Sequence, residues 1–341
     1  MMGKKTLWVV LSGVLAIVLL ISGCGSNDGQ GSASQPSQSA SPSPVATPGQ
    51  TPAAGDADAA SPVRTVQHTM GTTEIEGTPL KVVTLFQSAT DAALLLGVKP
   101  VGAVESWIEK PWYNYIRDQM DGVVNLGSEN QPNLEEIIAL HPDVIIGSKS
   151  RNEKIYEQLA AIAPTVMDDE VYYWKDTLHL VAETLNKQEE EEKFLTEWNG
   201  KVAAFKEKLG DRLSQTTVAV IDFRTDHVRI VYTGFAALVL DELGIPRPNN
   251  QKGEEWGVKL TSKENIPQMD ADIIFDQTST DRDDGRMDLR TEWTKHPLWQ
   301  NLRAVKNGKV YPVDTATWNN GSGPIAASKM LDDLYKYFDL Q

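Results

Sequence analysis

The chain has 341 residues, one cysteine and a formal net charge of −15, with 47 acidic residues against 32 basic ones. Such an acidic balance disfavours nucleic acid and anionic lipid as partners. A lone cysteine excludes an internal disulfide, so the fold is held by its core alone.

In chain order, Lys4 and Lys5 precede fifteen mostly apolar residues, Leu7 to Ile21, and then the small residues Ser22 and Gly23. A basic start, a short apolar run and small residues predict a secretion signal over residues 1–23. The apolar run falls short of the ~20 residues a membrane-spanning helix needs. Its removal leaves 30 basic residues against 47 acidic ones, a net charge of −17. Cys24 then becomes a candidate anchor, because Ile21-Ser22-Gly23-Cys24 resembles the bacterial lipobox, whose cysteine is lipidated and becomes the mature N-terminus. Burying ~0.8 kcal/mol per CH₂, two or more acyl chains give a stable tether. Residues 24–62 are almost entirely small, polar or proline, without an aromatic, lysine or arginine. They are predicted to be a disordered linker with a root-mean-square span of roughly 35 Å.

The body, residues 63–341, alternates short β-branched runs with helical patterns: "LKVVTLF", "SATDAALLLG", "VGAVES", "NLEEIIAL", "DVIIGS" and "EKIYEQLAAIA". This alternation predicts α/β layers with parallel strands. From Asp176 to Leu209 the pattern is continuously helical and highly charged. Leu185, Phe194, Leu195, Trp198, Val202, Phe205 and Leu209 form its apolar stripe, and "EEEE" reads as a solvated face. A new strand, "TTVAVIDF", begins at Thr216.

The first half then recurs in degenerate form. "LGVKP" at Leu96 returns as "LGIPRP" at Leu243, and Glu135 precedes Asp143-Val-Ile-Ile by eight residues just as Glu264 precedes Asp272-Ile-Ile-Phe. The predicted organisation is therefore a lobe over 63–185, a bridging helix over 186–210 and a second lobe over 211–341. A ligand cleft lies between the carboxyl ends of the two sheets.

The chemistry available at such a cleft is aromatic and cationic. Aromatic faces cover organic surface, and Arg and Lys donate to ligand oxygens. The loops expected there carry Trp107, Trp112, Tyr113, Lys149, Arg151, Tyr172, Tyr173 and Trp174 in the first lobe, and Arg224, Trp256, Arg282, Arg286, Arg290 and Trp318 in the second. The five histidines are scattered, with no pairing at a metal-ligand spacing. G-x-S-x-G, a P-loop and a dinucleotide glycine fingerprint do not occur in the sequence, and Gly321-Ser322-Gly323 beside Pro324 reads as turn chemistry at a helix start.

Taken together, the lipobox, the linker, "NLGSENQPNLEEIIALHPDVIIGS", "YEQLAAIAPTV", the long helix, "GIPRP" and "WNNGSGPIAASKMLDDL" resemble the solute-binding lipoproteins of ferric-siderophore ABC transporters. The resemblance covers the body from about Arg64. It implies two Rossmann-like α/β lobes joined by one rigid helix, no enzymatic activity, and no cofactor, iron being bound only as the ferric siderophore chelate. The implied partners are the siderophore, the ABC permease subunits and the cytoplasmic membrane, with the monomeric protein lipid-anchored on the extracytoplasmic face. The family's hydroxamate binders often place an arginine in the loop before "PNLE". Here that loop reads Gly127-Ser128-Glu129-Asn130-Gln131, so Lys149 and Arg151 are the expected substitutes. The family's permease-docking glutamates match Glu135 and Glu264, although both positions also suit a helix start electrostatically. Haem or cobalamin on the same fold, and a surface lipoprotein hydrolase, are the alternative readings.

Overall fold

The computed structural model describes residues 63–340. The signal, Cys24 and linker readings lie outside the described residues. No described helix is long and apolar enough to cross a membrane.

The described chain begins with an antiparallel hairpin, β1 (Val63–His68) and β2 (Gly71–Glu76), turned at Thr69–Met70. Its polar residues gave no strand signal in the sequence. Val66 and Ile75 nevertheless reach the core, and Thr73 Oγ1 donates to the Thr165 carbonyl at 2.7 Å, fastening the hairpin to the first sheet.

That sheet is fully parallel, in the order β5 (Val124–Asn125), β4 (Gly102–Ala103), β3 (Val82–Thr84), β8 (Val144–Ser148), β9 (Thr165–Asp168). A two-residue hairpin, β6 (Gly127–Ser128) with β7 (Gln131–Pro132), precedes the helix Leu134–Leu140. The apolar runs of the sequence mark the strands correctly but overstate their length. Val82, Val83, Val144, Ile145 and Ile146 are wholly buried, as expected of strands covered on both faces.

The predicted continuous helix is two helices. Trp174–Leu185 ends at Asn186, whose left-handed φ of 57° closes it, and Gln188–Leu209 then runs for 22 residues, about 33 Å, to Gly210. Trp198, Val202, Phe205 and Leu209 face inward, with Phe194 and Leu195 partly buried beside them. Glu189, Glu190 and Glu192 are exposed, but Glu191 is buried against His179 Nδ1 at 3.1 Å.

The second sheet is mixed, in the order β12 (Gly257–Leu260), β11 (Val228–Val231), β10 (Val218–Phe223), β13 (Ile273–Asp276), β14 (Val310–Pro312). Strands β10, β13 and β14 are parallel, whereas β11 and β12 are antiparallel. The molecule thus consists of two α/β lobes bridged by one long helix.

One continuous apolar core runs from the hairpin and first sheet through the long helix into the second sheet and the C-terminal helix Pro324–Tyr337. The lobes are also tied by Asp91, on helix Gln87–Leu95, whose carboxylate accepts the N–H groups of Ile325 at 2.6 Å and Ala326 at 3.2 Å and the Tyr115 hydroxyl at 2.8 Å. Here the Gly-Ser-Gly segment does more than turn the chain. A Cβ on Gly323 would lie 2.4 Å from the Asp91 side chain, and one on Gly321 would lie 2.2 Å from the Tyr115 hydroxyl, so glycine permits the close approach.

Candidate functional site: the cleft between the lobes

Loops of both lobes converge on a hollow of about 210 Å³. The first lobe lines it with Gln87, Trp107, Glu129, Arg151, Val171 and Tyr172; the second adds Phe235, Trp256, Asn319, Asn320 and Ser322. A neighbouring hollow of about 290 Å³ shares Trp107 and Glu129 and adds Glu105, Ser106, Lys110, Ser128 and Arg282. The two form one cleft.

Its floor in the first lobe is an ion pair. Arg151 Nε stands 3.3 Å from Glu129 Oε2, and the guanidinium lies 5.9 Å from the centre of the Trp107 ring. Glu129 is only 3% exposed, accepts the Gln87 N–H at 2.9 Å, and its backbone carbonyl accepts from Asn152 Nδ2 at 3.0 Å. Burial pushes the Glu129 carboxyl above its ordinary range against the opposing pull of the Gln87 N–H and the Arg151 charge. The loop in which the family's arginine was expected therefore supplies a buried carboxylate, which positions an arginine from the short helix Lys149–Asn152 that follows β8. Trp107 is held by Tyr113, whose hydroxyl accepts the Trp107 N–H at 3.3 Å.

Two contacts bridge the lobes across this cleft. Arg282 Nη2 donates to the Trp107 carbonyl at 3.0 Å, and the rings of Tyr172 and Trp256 meet edge to face at 5.6 Å. Trp256 is 48% exposed and rests on Gly234, where a Cβ would stand 2.9 Å from the ring. The φ of 99° at Gly234 also disfavours any other residue there.

Of the residues expected at the cleft, Trp107, Arg151, Trp256 and Arg282 line it. The structure places the others elsewhere. Trp112 and Tyr113 are buried in a satellite core, Trp174 packs edge to face on Trp198 at 5.0 Å, and Trp318 is wholly buried against Phe275 at 4.6 Å. Trp318 Nε1 donates to Asp333 at 2.9 Å, so its polar edge is already satisfied. Tyr173 lines a separate hollow of about 170 Å³ beside Lys175 and Glu242, while its neighbour Tyr172 faces the cleft. Lys149 is half-buried and lines neither cleft hollow. Arg224 pairs with Asp222 at 2.6 Å just beyond the end of β10.

Tyr172, expected with its two neighbours before a helix, does line the cleft, whereas Gln87, Phe235, Asn319, Asn320 and Ser322 were not expected there. Their only signal was position after a strand or at a helix start. Among the described residues no group of three His, Cys, Asp or Glu side chains stands together as a metal site.

The periplasmic binding protein family model matches residues 82–317, spanning both lobes and the long helix. The chain belongs to that family. It is 42% identical over 290 residues to the probable siderophore-binding lipoprotein YfiY of Bacillus subtilis (strain 168), covering 82% of this chain and 89% of the relative. It is 38% identical over 261 residues to the achromobactin-binding periplasmic protein of Dickeya dadantii (strain 3937), covering 75% and 85%. Among solved structures, Staphylococcus aureus SirA complexed with staphyloferrin B superposes with a TM-score of 0.75 at 43% identity, covering 81% of this chain and 98% of that one. The cleft lies where the chain's two lobes meet.

Proposed function

We propose that the chain is an extracytoplasmic solute-binding lipoprotein that captures a ferric siderophore in the interlobe cleft and delivers it to an ABC-type permease. The observation that carries this reading is the cleft itself. Half-exposed Trp107, Tyr172 and Trp256 offer aromatic faces to the organic periphery of a chelate, and Arg151 and Arg282 offer donors to its oxygens. The siderophore's own oxygens saturate its iron, so the protein needs to recognise a surface rather than ligate a metal. The similarity to a siderophore-binding lipoprotein and to SirA supports the same cargo. The chain has no enzymatic role in this reading, and Cys24 carries the lipid anchor on the extracytoplasmic face of the membrane.

Delivery requires a surface for the permease. Glu135 and Glu264 are both exposed and each occupies the second residue of its helix, behind Asn133 and Ser262, whose side chains accept the glutamates' own N–H groups. One negative charge per lobe would orient the cleft over the translocation path.

The testing experiment is tryptophan fluorescence titration of the mature chain with a panel of ferric siderophores, haem and cobalamin. Saturable quenching by a ferric siderophore at submicromolar concentration is expected, since Trp107 and Trp256 border the cleft. Quenching by haem or cobalamin alone would replace the cargo.

A further inference from the structure

The second lobe carries a charge cluster outside the residues that line the cleft. It lies where β10 and β13 end, the sheet edge from which the cleft loop bearing Arg282 also departs. Asp222 and Asp276, each 2% exposed, close those strands. Arg224 pairs with Asp222 at 2.6 Å and Arg290 with Asp276 at 2.6 Å, while Arg229 sits directly across the strand pair from Asp222. The charge of Arg286, itself bound to Asp284 at 2.6 Å, also acts on Asp222.

Two features set this cluster apart from a closed ion-pair network. Burial first and the nearby Arg224 charge second hold the Arg229 guanidinium below its ordinary range, against the pull of Asp222, in a protein that is otherwise strongly acidic. Moreover, the Nε atoms of both arginines, Asp222 Oδ1, Gln277 Oε1 and His227 Nε2 are buried without a hydrogen-bond partner among the described residues. Gln277 and His227 are 2% and 8% exposed, so these are interior groups that water does not freely serve. Leaving a buried donor unmade is costly, and several such atoms in one place point to an absent partner.

We propose that this cluster seats the anionic periphery of the chelate, so that the ligand class is a carboxylate-bearing, negatively charged ferric complex rather than a neutral ferric tris-hydroxamate. This rests on the reading of the chain as a ferric-siderophore binder. Guanidinium groups match carboxylates with paired N–H donors, a geometry that neutral hydroxamate chelates do not engage at their periphery. The free Nε donors of Arg224 and Arg229 would receive carboxylate oxygens, and the free Asp222 and Gln277 oxygens would accept from ligand hydroxyl or amide groups.

The test is fluorescence titration of the mature chain with ferric citrate, ferrichrome as the neutral tris-hydroxamate and ferric enterobactin as an anion without carboxylates, at about 50 and about 500 mM NaCl. Ferric citrate should bind at least roughly tenfold more tightly than either other chelate and weaken roughly tenfold at the higher salt, as expected of a charge-assisted contact. Arg229→Gln should reproduce that loss without added salt. Because Arg224→Gln would strand the buried Asp222, the neutral double variant Asp222→Asn with Arg224→Gln serves as the second probe, and circular dichroism confirms its fold. Tighter, salt-insensitive binding of ferrichrome would overturn the proposal while leaving the siderophore reading intact. A preference for ferric enterobactin would overturn the carboxylate assignment. Binding of none of the three, with haem or cobalamin bound instead, would overturn both the proposal and the reading beneath it.

Discussion

Glu129 holds Arg151 beneath the cleft, with Arg151 Nε 3.3 Å from Glu129 Oε2 and the glutamate's other oxygen on the Gln87 N–H. The pair fixes an otherwise flexible cation in a position where a ligand oxygen can meet it. Arg151→Ala should therefore weaken ferric-siderophore binding roughly 10- to 100-fold, the loss of about 1.5 to 3 kcal/mol from a charge-assisted hydrogen bond. The same change strands a buried carboxylate, so thermal stability should fall as well. Adding Glu129→Gln should restore stability but not affinity, and titration calorimetry with melting curves separates the two.

Burial sorts the tryptophans into two classes with opposite expected phenotypes. Trp318 is wholly buried and bonded to Asp333, whereas Trp256 is half exposed on the cleft wall. Trp318→Ala should cost about 3 to 5 kcal/mol of stability. Trp256→Ala should leave the melting temperature nearly unchanged and reduce ligand affinity. Reversed outcomes in denaturant unfolding and ligand titration would show that the cleft had been drawn around the wrong aromatics.

The clamp at Asp91 predicts a pH dependence. Burial raises its carboxyl from the ordinary 3.8 to about 7 against the opposing hydrogen bonds from Ile325, Tyr115 and Ala326. A folded-state pKa above the unfolded one means that the native state binds the extra proton. The contribution of this group is then full below about pH 4 and is lost as pH rises through about 7. Asp91→Asn should flatten that part of the stability profile, removing a slope of up to about 1.4 kcal/mol per pH unit between those limits. Urea unfolding of both proteins from pH 4 to 8 measures the difference.

Glu135 and Glu264 lie on exposed helix starts, away from the residues that line the cleft. Changing both to alanine should leave folding and siderophore affinity as they are, since exposed glutamates near a helix start contribute under ~1 kcal/mol. Uptake of radio-iron siderophore by cells should fall strongly, with each single change intermediate. Normal uptake by the double variant would remove the docking role.

Much of this architecture was legible because β-branched runs and the Trp198, Val202, Phe205, Leu209 stripe carry their own periodicity. The hairpin β1–β2 was not, because its strands are polar and gain order from packing on β9. The helical pattern from Asp176 to Leu209 shows no interruption of its own, and one left-handed residue, Asn186, divides it where the bridging helix was expected to begin. At the site, Trp107, Arg151 and Arg282 follow strands and Trp256 immediately precedes one, and all four line the cleft. Trp112, Trp174 and Trp318 have similar local contexts but pack inward, a difference set by tertiary neighbours that local sequence does not encode. Glu129 interrupted the expected arginine motif, and its role emerged only when two loops separated by 22 positions were seen together.

Capture of an intact ferric chelate without a protein ligand to iron is best checked by calorimetry with matched ferric, gallium and iron-free forms of one siderophore. Gallium(III) matches the charge and shape of the ferric complex, so one-to-one binding of both metal forms is expected with affinities within about twofold, and much weaker binding of the unfolded, metal-free siderophore. Equal binding of the metal-free form, or binding of ferric iron alone in place of its chelate, would contradict it.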